Sequence, residues 1–306
     1  MEKRKKLKSL AAERRAIIVP GAANALFARV IEDLGFPVVY VSGAGVANMS
    51  LGVPDVGLST LTEIAQVVSN ISDAVALPLI VDADTGFGNA LNMYRTVQVL
   101  ERAGASALQI EDQVFPKKCG HFAGKAVIPV DEMVQKIRAA VDARTDHNLQ
   151  IIARTDARAI EGLDAAIERA QAYEQAGADL IFVEAPQTAE ELARIGRSIA
   201  SPQIANIVFG GKTPDVGQAA LAGMGFAFTL YANAALQAAI RSTREVLTAL
   251  RDTGSLDLVA DRLAGFEERQ NTVLKAMWDE RENRYATSSP TSSPISSPIS
   301  SFGAAR

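Results

Sequence analysis

Eight short runs of mostly apolar, often β-branched residues recur along the chain, at 16–20, 37–42, 78–82, 105–111, 149–154, 179–184, 202–208 and 225–231. Their hydrophobic positions are near-continuous rather than alternating, the pattern of strands buried on both faces. Between them lie stretches rich in Ala, Leu, Glu and Arg with helical spacing, most clearly 91–103, 131–144 and 164–176. Strand starts fall about 30 residues apart on average, the length of a βαβ unit. Gly104-Ala105 and Gly177-Ala178 each stand just before a run and read as helix C-caps feeding a strand. Eight β-then-α units predict a closed (β/α)8 barrel of the TIM type. The runner-up, an open doubly wound sheet, would normally carry a Gly-rich phosphate turn after its first strand; here that turn is Pro20-Gly-Ala-Ala-Asn24. Residues 256–285 add helical material beyond the eighth unit, with Leu263, Phe266, Val273, Leu274 and Trp278 as apolar contacts. A closed barrel leaves them no interior place, so they are expected to exchange onto a partner subunit.

Composition narrows the class. The chain has 306 residues, of which 48% are hydrophobic and 22% charged, so most of it can bury a core. Residues 1–286 read as one barrel domain with a helical extension. Residues 287–306 repeat a Ser-Ser-Pro unit and read as a disordered low-complexity tail. Lys+Arg number 31 against 35 Asp+Glu, which argues against a nucleic-acid partner. One cysteine, Cys119, forbids an intrachain disulfide framework and suits a reducing cytosol. No run reaches the roughly 18 apolar residues of a membrane span. No long apolar run follows the basic N-terminus, so no secretory signal is expected. The picture is a cytoplasmic protein with no nucleic-acid or membrane partner.

In a barrel of this kind chemistry sits at the C-terminal ends of the strands. The second run ends in Ser42-Gly-Ala-Gly45, the third carries Asp82 and Asp84, the fourth Glu111 and Asp112, the fifth Arg154 and Asp156, the sixth Glu184 and the seventh Asn206. Any one of these acids could simply cap a helix. Asp82, Asp84, Glu111 and Glu184 converging on one mouth would repel unless a cation neutralised them. Oxygen ligands without His or Cys suit Mg2+ or Mn2+ rather than zinc, and the two histidines are too few for a zinc site. His147 lies in a polar turn and reads as a surface residue. The segment 115–125, Phe-Pro-Lys-Lys-Cys-Gly-His-Phe-Ala-Gly-Lys, joins cations, a thiol and an imidazole. As a surface loop it would be unremarkable. Nearby positive charge, however, lowers a thiol's pKa and fits it for proton donation or nucleophilic attack. Gly120 and Gly124 give such a loop the freedom of a lid.

The segments Val81-Asp-Ala-Asp-Thr-Gly-Phe-Gly88, Ile110-Glu-Asp-Gln113, Lys117-Lys-Cys-Gly-His121 and Ala153-Arg-Thr-Asp156 together resemble the isocitrate lyase/phosphoenolpyruvate mutase superfamily. The likeness runs from about Ile17 to Tyr285 and is strongest to the short, methylisocitrate lyase-type branch, which includes dimethylmalate lyases and oxaloacetate hydrolases. The resemblance implies a barrel that swaps its eighth helix and assembles as a homotetramer. It implies Mg2+ (or Mn2+) at Asp82, with Asp55, Asp84 and Glu111 around it, mostly through water. It places a 2-oxo acid against Ser42 and the backbone N–H groups of Gly43 and Ala44. Arg154 holds its charge, with Glu184, Asn206 and His121 close by. Lys117, Gly120, Phe209 and Asn233 complete the expected substrate contacts.

The activity implied is a Mg2+-dependent retro-aldol C–C lyase acting on a 2-hydroxy dicarboxylate. Tyr40 is expected as the base and Cys119 as the general acid. Many relatives have an acid where this chain has Phe209, and a Pro-Leu-Ser ending where it has Ala232-Asn-Ala234. Both changes favour a substituted malate smaller than methylisocitrate. An oxaloacetate hydrolase or decarboxylase and a carboxyphosphonoenolpyruvate phosphonomutase are the alternatives. A non-enzymatic binder of small acids is the reading from another class.

Overall fold

The structure, a computed structural model, describes residues 1–286 except 121 and 123; the expectations placed on His121 and on the tail lie outside the described residues. In chain order it runs α1 (Glu2–Ala12), β1 (Ile17–Ala22), α2 (Ala25–Asp33), β2 (Val39–Val41), α3 (Gly43–Val46) and α4 (Leu61–Ala74). There follow β3 (Leu79–Asp82), α5 (Ala90–Arg102), β4 (Ala107–Glu111), α6 (Val130–Ala143), β5 (Gln150–Thr155), α7 (Leu163–Gln175), β6 (Leu180–Val183) and α8 (Ala189–Ser198). The chain ends with β7 (Gln203–Asn206), α9 (Gln218–Gly223), β8 (Phe226–Tyr231), α10 (Ala234–Thr253), α11 (Phe266–Thr272) and α12 (Lys275–Tyr285). All neighbouring strands are parallel, and β8 pairs with β1 to close an eight-stranded barrel. The eight expected strands are all present. Gly104 and Gly177 follow α5 and α7 at φ +108° and +106°, which a side chain rarely tolerates, so the C-cap reading holds.

Two apolar clusters hold the barrel. The larger lies between strands and helices, for example Val81, Met93, Leu108, Ile137, Ile151 and Tyr173. The smaller fills the interior with Val19, Tyr40, Ile80, Ala107, Ile152, Phe182, Ile204 and Phe228. Side chains on a strand alternate faces, so every second residue continues the interior row. Ile80 leads to Asp82, Ala107 to Gln109 and Glu111, Ile152 to Arg154, Phe182 to Glu184, and Ile204 to Asn206. The interior thus turns from apolar to charged as the strands approach their C-terminal ends.

The sequence reading missed α1. Leu7 and Ala11 are buried and join the interior cluster, so the helix plugs the N-terminal end of the barrel. Its basic residues cap helix ends. Lys3 Nζ donates to Ser72 O and Val75 O at 3.0 and 2.7 Å, and Arg4 donates to Glu101 O at 2.6 Å. The chain divides into two compact units, Met1–Leu263 and the segment from Ala264, which contains α11 and α12. Among the described residues no helix is long and apolar enough to cross a membrane.

Candidate active site

The mouth is built around Asp82, the last residue of β3. Its Oδ2 accepts from Gly43 N at 3.3 Å, and its Oδ1 accepts from Asp84 N at 3.2 Å and Gln109 Nε2 at 3.4 Å. Ser42 caps α3 by accepting from Gly45 N at 3.0 Å, and its hydroxyl donates to Asn233 Oδ1 at 3.3 Å. A Cβ on Gly43 would stand 3.0 Å from Asp82 Oδ2 and 3.3 Å from Asp84 Oδ1, so this backbone lies flat against both acids. Lys117 is buried and pairs with Asp55 and with Asp84 Oδ1, the latter at 2.7 Å but out of hydrogen-bond alignment.

Arg154 is the second centre. Nε and Nη2 donate to Asp156 Oδ2 and Oδ1 at 2.9 and 3.1 Å; Nη1 lies 3.3 Å from Glu111 Oε2, and Nε lies 3.8 Å from Glu184 Oε2. The guanidinium lies 5.2 Å from the centre of the Phe182 ring. Asn206 Nδ2 donates to Glu184 Oε2 at 3.4 Å, and its Oδ1 is buried with no hydrogen-bond partner among the described residues.

The loop after β4 folds over these groups. Gln113 holds its base, exchanging bonds with Lys118 N and O at 2.9 and 2.8 Å. Cys119 N donates to Asp55 O at 3.1 Å. A Cβ on Gly120 would fall 2.5 Å from Arg154 Nη2 and 2.7 Å from Glu184 Oε1, so only glycine lets the backbone come this close. Lys125 Nζ ties the loop down by donating to Gly120 O and to Asp156 Oδ1.

Asp55, Asp82, Asp84, Glu111, Lys117, Cys119, Gly120, Arg154, Glu184 and Asn206 come together, with Ser42, Gly43, Ala44 and Asn233 along one side. Phe209 does not join them. The residue is 88% exposed and lines a hollow that it shares with Asn233, Asp215 and Gln237. Tyr40 Oη donates to Gln109 Oε1 at 3.1 Å, and burial followed by the Asp82 charge push it well above its ordinary value. In this field the phenol is a donor. The sequence reading assigned no role to Gln109, Lys125 or Asp156. Arg154 and Asp156 are two residues apart, so strand alternation puts them on one face.

The donor set fits a hard divalent cation. Glu111 Oε1 is buried with no hydrogen-bond partner among the described residues, and Asp84 Oδ1 is buried with the misaligned Lys117 ammonium at 2.7 Å. Burial pushes Asp84 up to about 6, with Lys117 opposing, and burial likewise raises Glu111. Added positive charge would restore both carboxylates. Among the described residues no three His, Cys, Asp or Glu stand close enough to enclose an ion by themselves. A cation here would complete its shell with water and substrate oxygens, as Mg2+ does.

Comparison with known proteins agrees with this geometry. The profile of the phosphoenolpyruvate phosphomutase family matches residues 7–251. The 2,3-dimethylmalate lyase of Eubacterium barkeri is 43% identical over 282 residues, 92% of this chain and 98% of that protein. The 2-methylisocitrate lyase of Aeropyrum pernix is 45% identical over 257 residues, 84% of this chain and 82% of that protein. A phosphonopyruvate hydrolase solved with oxalate and Mg2+ superposes with a TM-score of 0.84 at 31% identity, over 93% of this chain and 99% of that one. The chain therefore belongs to the phosphoenolpyruvate mutase/isocitrate lyase superfamily, as its motifs implied.

Proposed function

We propose that the protein is a cytosolic, Mg2+-dependent C–C lyase that splits a substituted malate into a 2-oxo acid and a carboxylic acid. One observation carries this reading: a thiol-bearing loop is seated directly on the Arg154–Glu184 pair, beside the carboxylate cluster. The two relatives act on methyl-substituted 2-hydroxy acids, as their names state.

The reaction removes the 2-hydroxyl proton and breaks the C2–C3 bond. The bond pair stays on C3, which is then protonated. Asp82, Asp84, Glu111 and Asp55 would hold the cation; when bound, it supplies positive charge that stabilises oxyanion character at C2 and in the departing enolate. Arg154 holds a substrate carboxylate, with its guanidinium fixed by Asp156. Asn206 Oδ1 offers an acceptor to a substrate hydroxyl. Tyr40 Oη keeps its own proton, held first by burial and then by the Asp82 charge, so it would take the 2-hydroxyl proton only after releasing its own to the neighbouring carboxylates; as it stands it donates to Gln109. Cys119 Sγ gives its proton to C3, and the loop excludes water while it does so.

The exposed apolar side chains of α10, Ile240, Leu247 and Leu250, support assembly into the expected homotetramer.

The test is a substrate panel with EDTA and with added Mg2+. Pyruvate released from 2,3-dimethylmalate or 2-methylisocitrate, lost with EDTA and restored by Mg2+, is expected. Turnover of oxaloacetate alone would make the protein a hydrolase or decarboxylase instead. Asp82→Ala should abolish turnover and Mg2+ binding while the protein stays folded; unchanged Mg2+ dependence would refute the metal assignment.

A further inference from the structure

Glu111 and Asp112 are adjacent acids at the end of β4, yet they serve opposite sides of the barrel wall. Glu111 continues the interior row and meets Arg154. Asp112 is fully buried on the other side, toward α7. Its Oδ1 accepts from Asp156 N at 2.9 Å. Its Oδ2 accepts from Thr155 Oγ1 at 2.7 Å and from Tyr173 Oη at 2.8 Å. Arg169 Nη1 lies 3.6 Å from the same oxygen. The backbone is locked as well, with Asp112 N donating to Arg154 O at 3.2 Å.

Tyr173 and Arg169 stand one turn apart on α7, and Arg169 is itself held. It donates to Glu161 by two bonds of 2.8 and 3.0 Å, to Ile128 O at 2.9 Å and to Tyr173 Oη at 3.2 Å. A rigid brace therefore runs from α7 through Asp112 to the turn at Thr155 and Asp156. Asp156 then grips the Arg154 guanidinium through both carboxylate oxygens.

We infer that Asp112, braced by Tyr173 and Arg169, is a positioning residue: it fixes the Thr155–Asp156 turn and thereby aims Arg154 at the substrate carboxylate. A planar guanidinium binds a carboxylate well only in the right orientation, so a small rotation loses affinity. The three strongest donors to Asp112 support this. Two come from the Thr155–Asp156 turn, and the third comes from the helix that anchors it. The inference rests on Arg154 being the carboxylate-holding group of the proposed reaction.

Tyr173→Phe removes one hydroxyl and keeps the ring in the core. Its readouts are KM, kcat, the oxalate dissociation constant by calorimetry with Mg2+, and the melting temperature. We expect KM and the oxalate constant to rise about tenfold, the size of one lost buried hydrogen bond, with kcat changed by less than about threefold. In an Arg154→Lys background the same change should add nothing further, because both act through one contact. Thr155→Val, which removes the other hydroxyl, gives an independent reading should Tyr173→Phe not fold. If Tyr173→Phe lowers the melting temperature but leaves KM and oxalate binding unmoved, the brace is merely structural and the inference is overturned. Full additivity with Arg154→Lys overturns it too. If Arg154→Lys alone leaves oxalate binding unchanged, the role given to Arg154 is wrong and the inference falls with it, a result separable from failure of the brace.

Discussion

A thiol and a hydroxyl differ little in size and greatly in acidity, and Cys119 is where that difference should show. A serine hydroxyl at this position would be a poor proton donor near neutral pH. Cys119→Ser is therefore expected to lower kcat by roughly 10²–10⁴-fold, the usual worth of a general acid, with KM moving far less. Near-normal turnover would make the thiol a bystander. Gly43 gives a second residue-scale expectation. A methyl there meets Asp82 Oδ2 at 3.0 Å and Asp84 Oδ1 at 3.3 Å. Gly43→Ala should weaken the apparent Mg2+ affinity in activity titrations by pushing both acids outward, and an unchanged Mg2+ midpoint would show that the acids yield without loss. Most of the mouth was legible as residue types at strand ends. The division of labour between Glu111 and Asp112 was not, because adjacent acids look alike until strand alternation assigns them to opposite faces. Phe209 was read as a pocket wall from a motif comparison alone. The structure leaves Phe209 largely exposed, in a hollow that Asn233 also lines.

Strands announced themselves because both faces of a barrel strand are buried, which leaves near-continuous apolar runs with little competing pattern. The first helix was hidden for the opposite reason. Five of its eleven residues are Lys or Arg or Glu before the first buried leucine is reached, and only Leu7 and Ala11 are buried. Such a segment reads as a solvated charged tail until the barrel floor it closes is known. Leu7 sits 1% exposed among Val19, Ile80 and Phe228. Leu7→Ala should destabilise by about 3 kcal/mol, within the range for buried leucine truncations, measured from urea midpoints. The mouth lies at the opposite end of the strands, so kcat of the folded variant should be unaltered. A midpoint equal to wild type would mean that the helix does not plug the floor.

As a whole molecule the chain exposes more apolar surface than a lone barrel needs. No residue of the 20-residue α10 is buried, and Ile240, Leu247 and Leu250 are 51, 56 and 40% exposed. Leu26 and Val30 on α2, and Leu34 just after it, are exposed as well. Contiguous apolar patches of this kind mark association surfaces. Light scattering at micromolar concentration should report a mass near four chains. A stable monomer would remove the basis for helix exchange.

The pairing of β1 with β8 also bears on how the protein can be made. Ile17 is in register with Phe228, Ala16 N donates to Phe226 O at 2.9 Å, and Leu7 rests in a cluster that includes Phe228 and Leu230. The first strand to leave the ribosome thus waits for the last one before its second edge is paired. Until then a growing chain carries an open row of amide and carbonyl groups and an unfilled apolar floor, both of which invite wrong partners. Contacts this distant in sequence close slowly. A nascent chain of this protein is consequently most exposed to aggregation late in translation, just before β8 emerges, and a stall there would strand a nearly complete barrel with its seam still open.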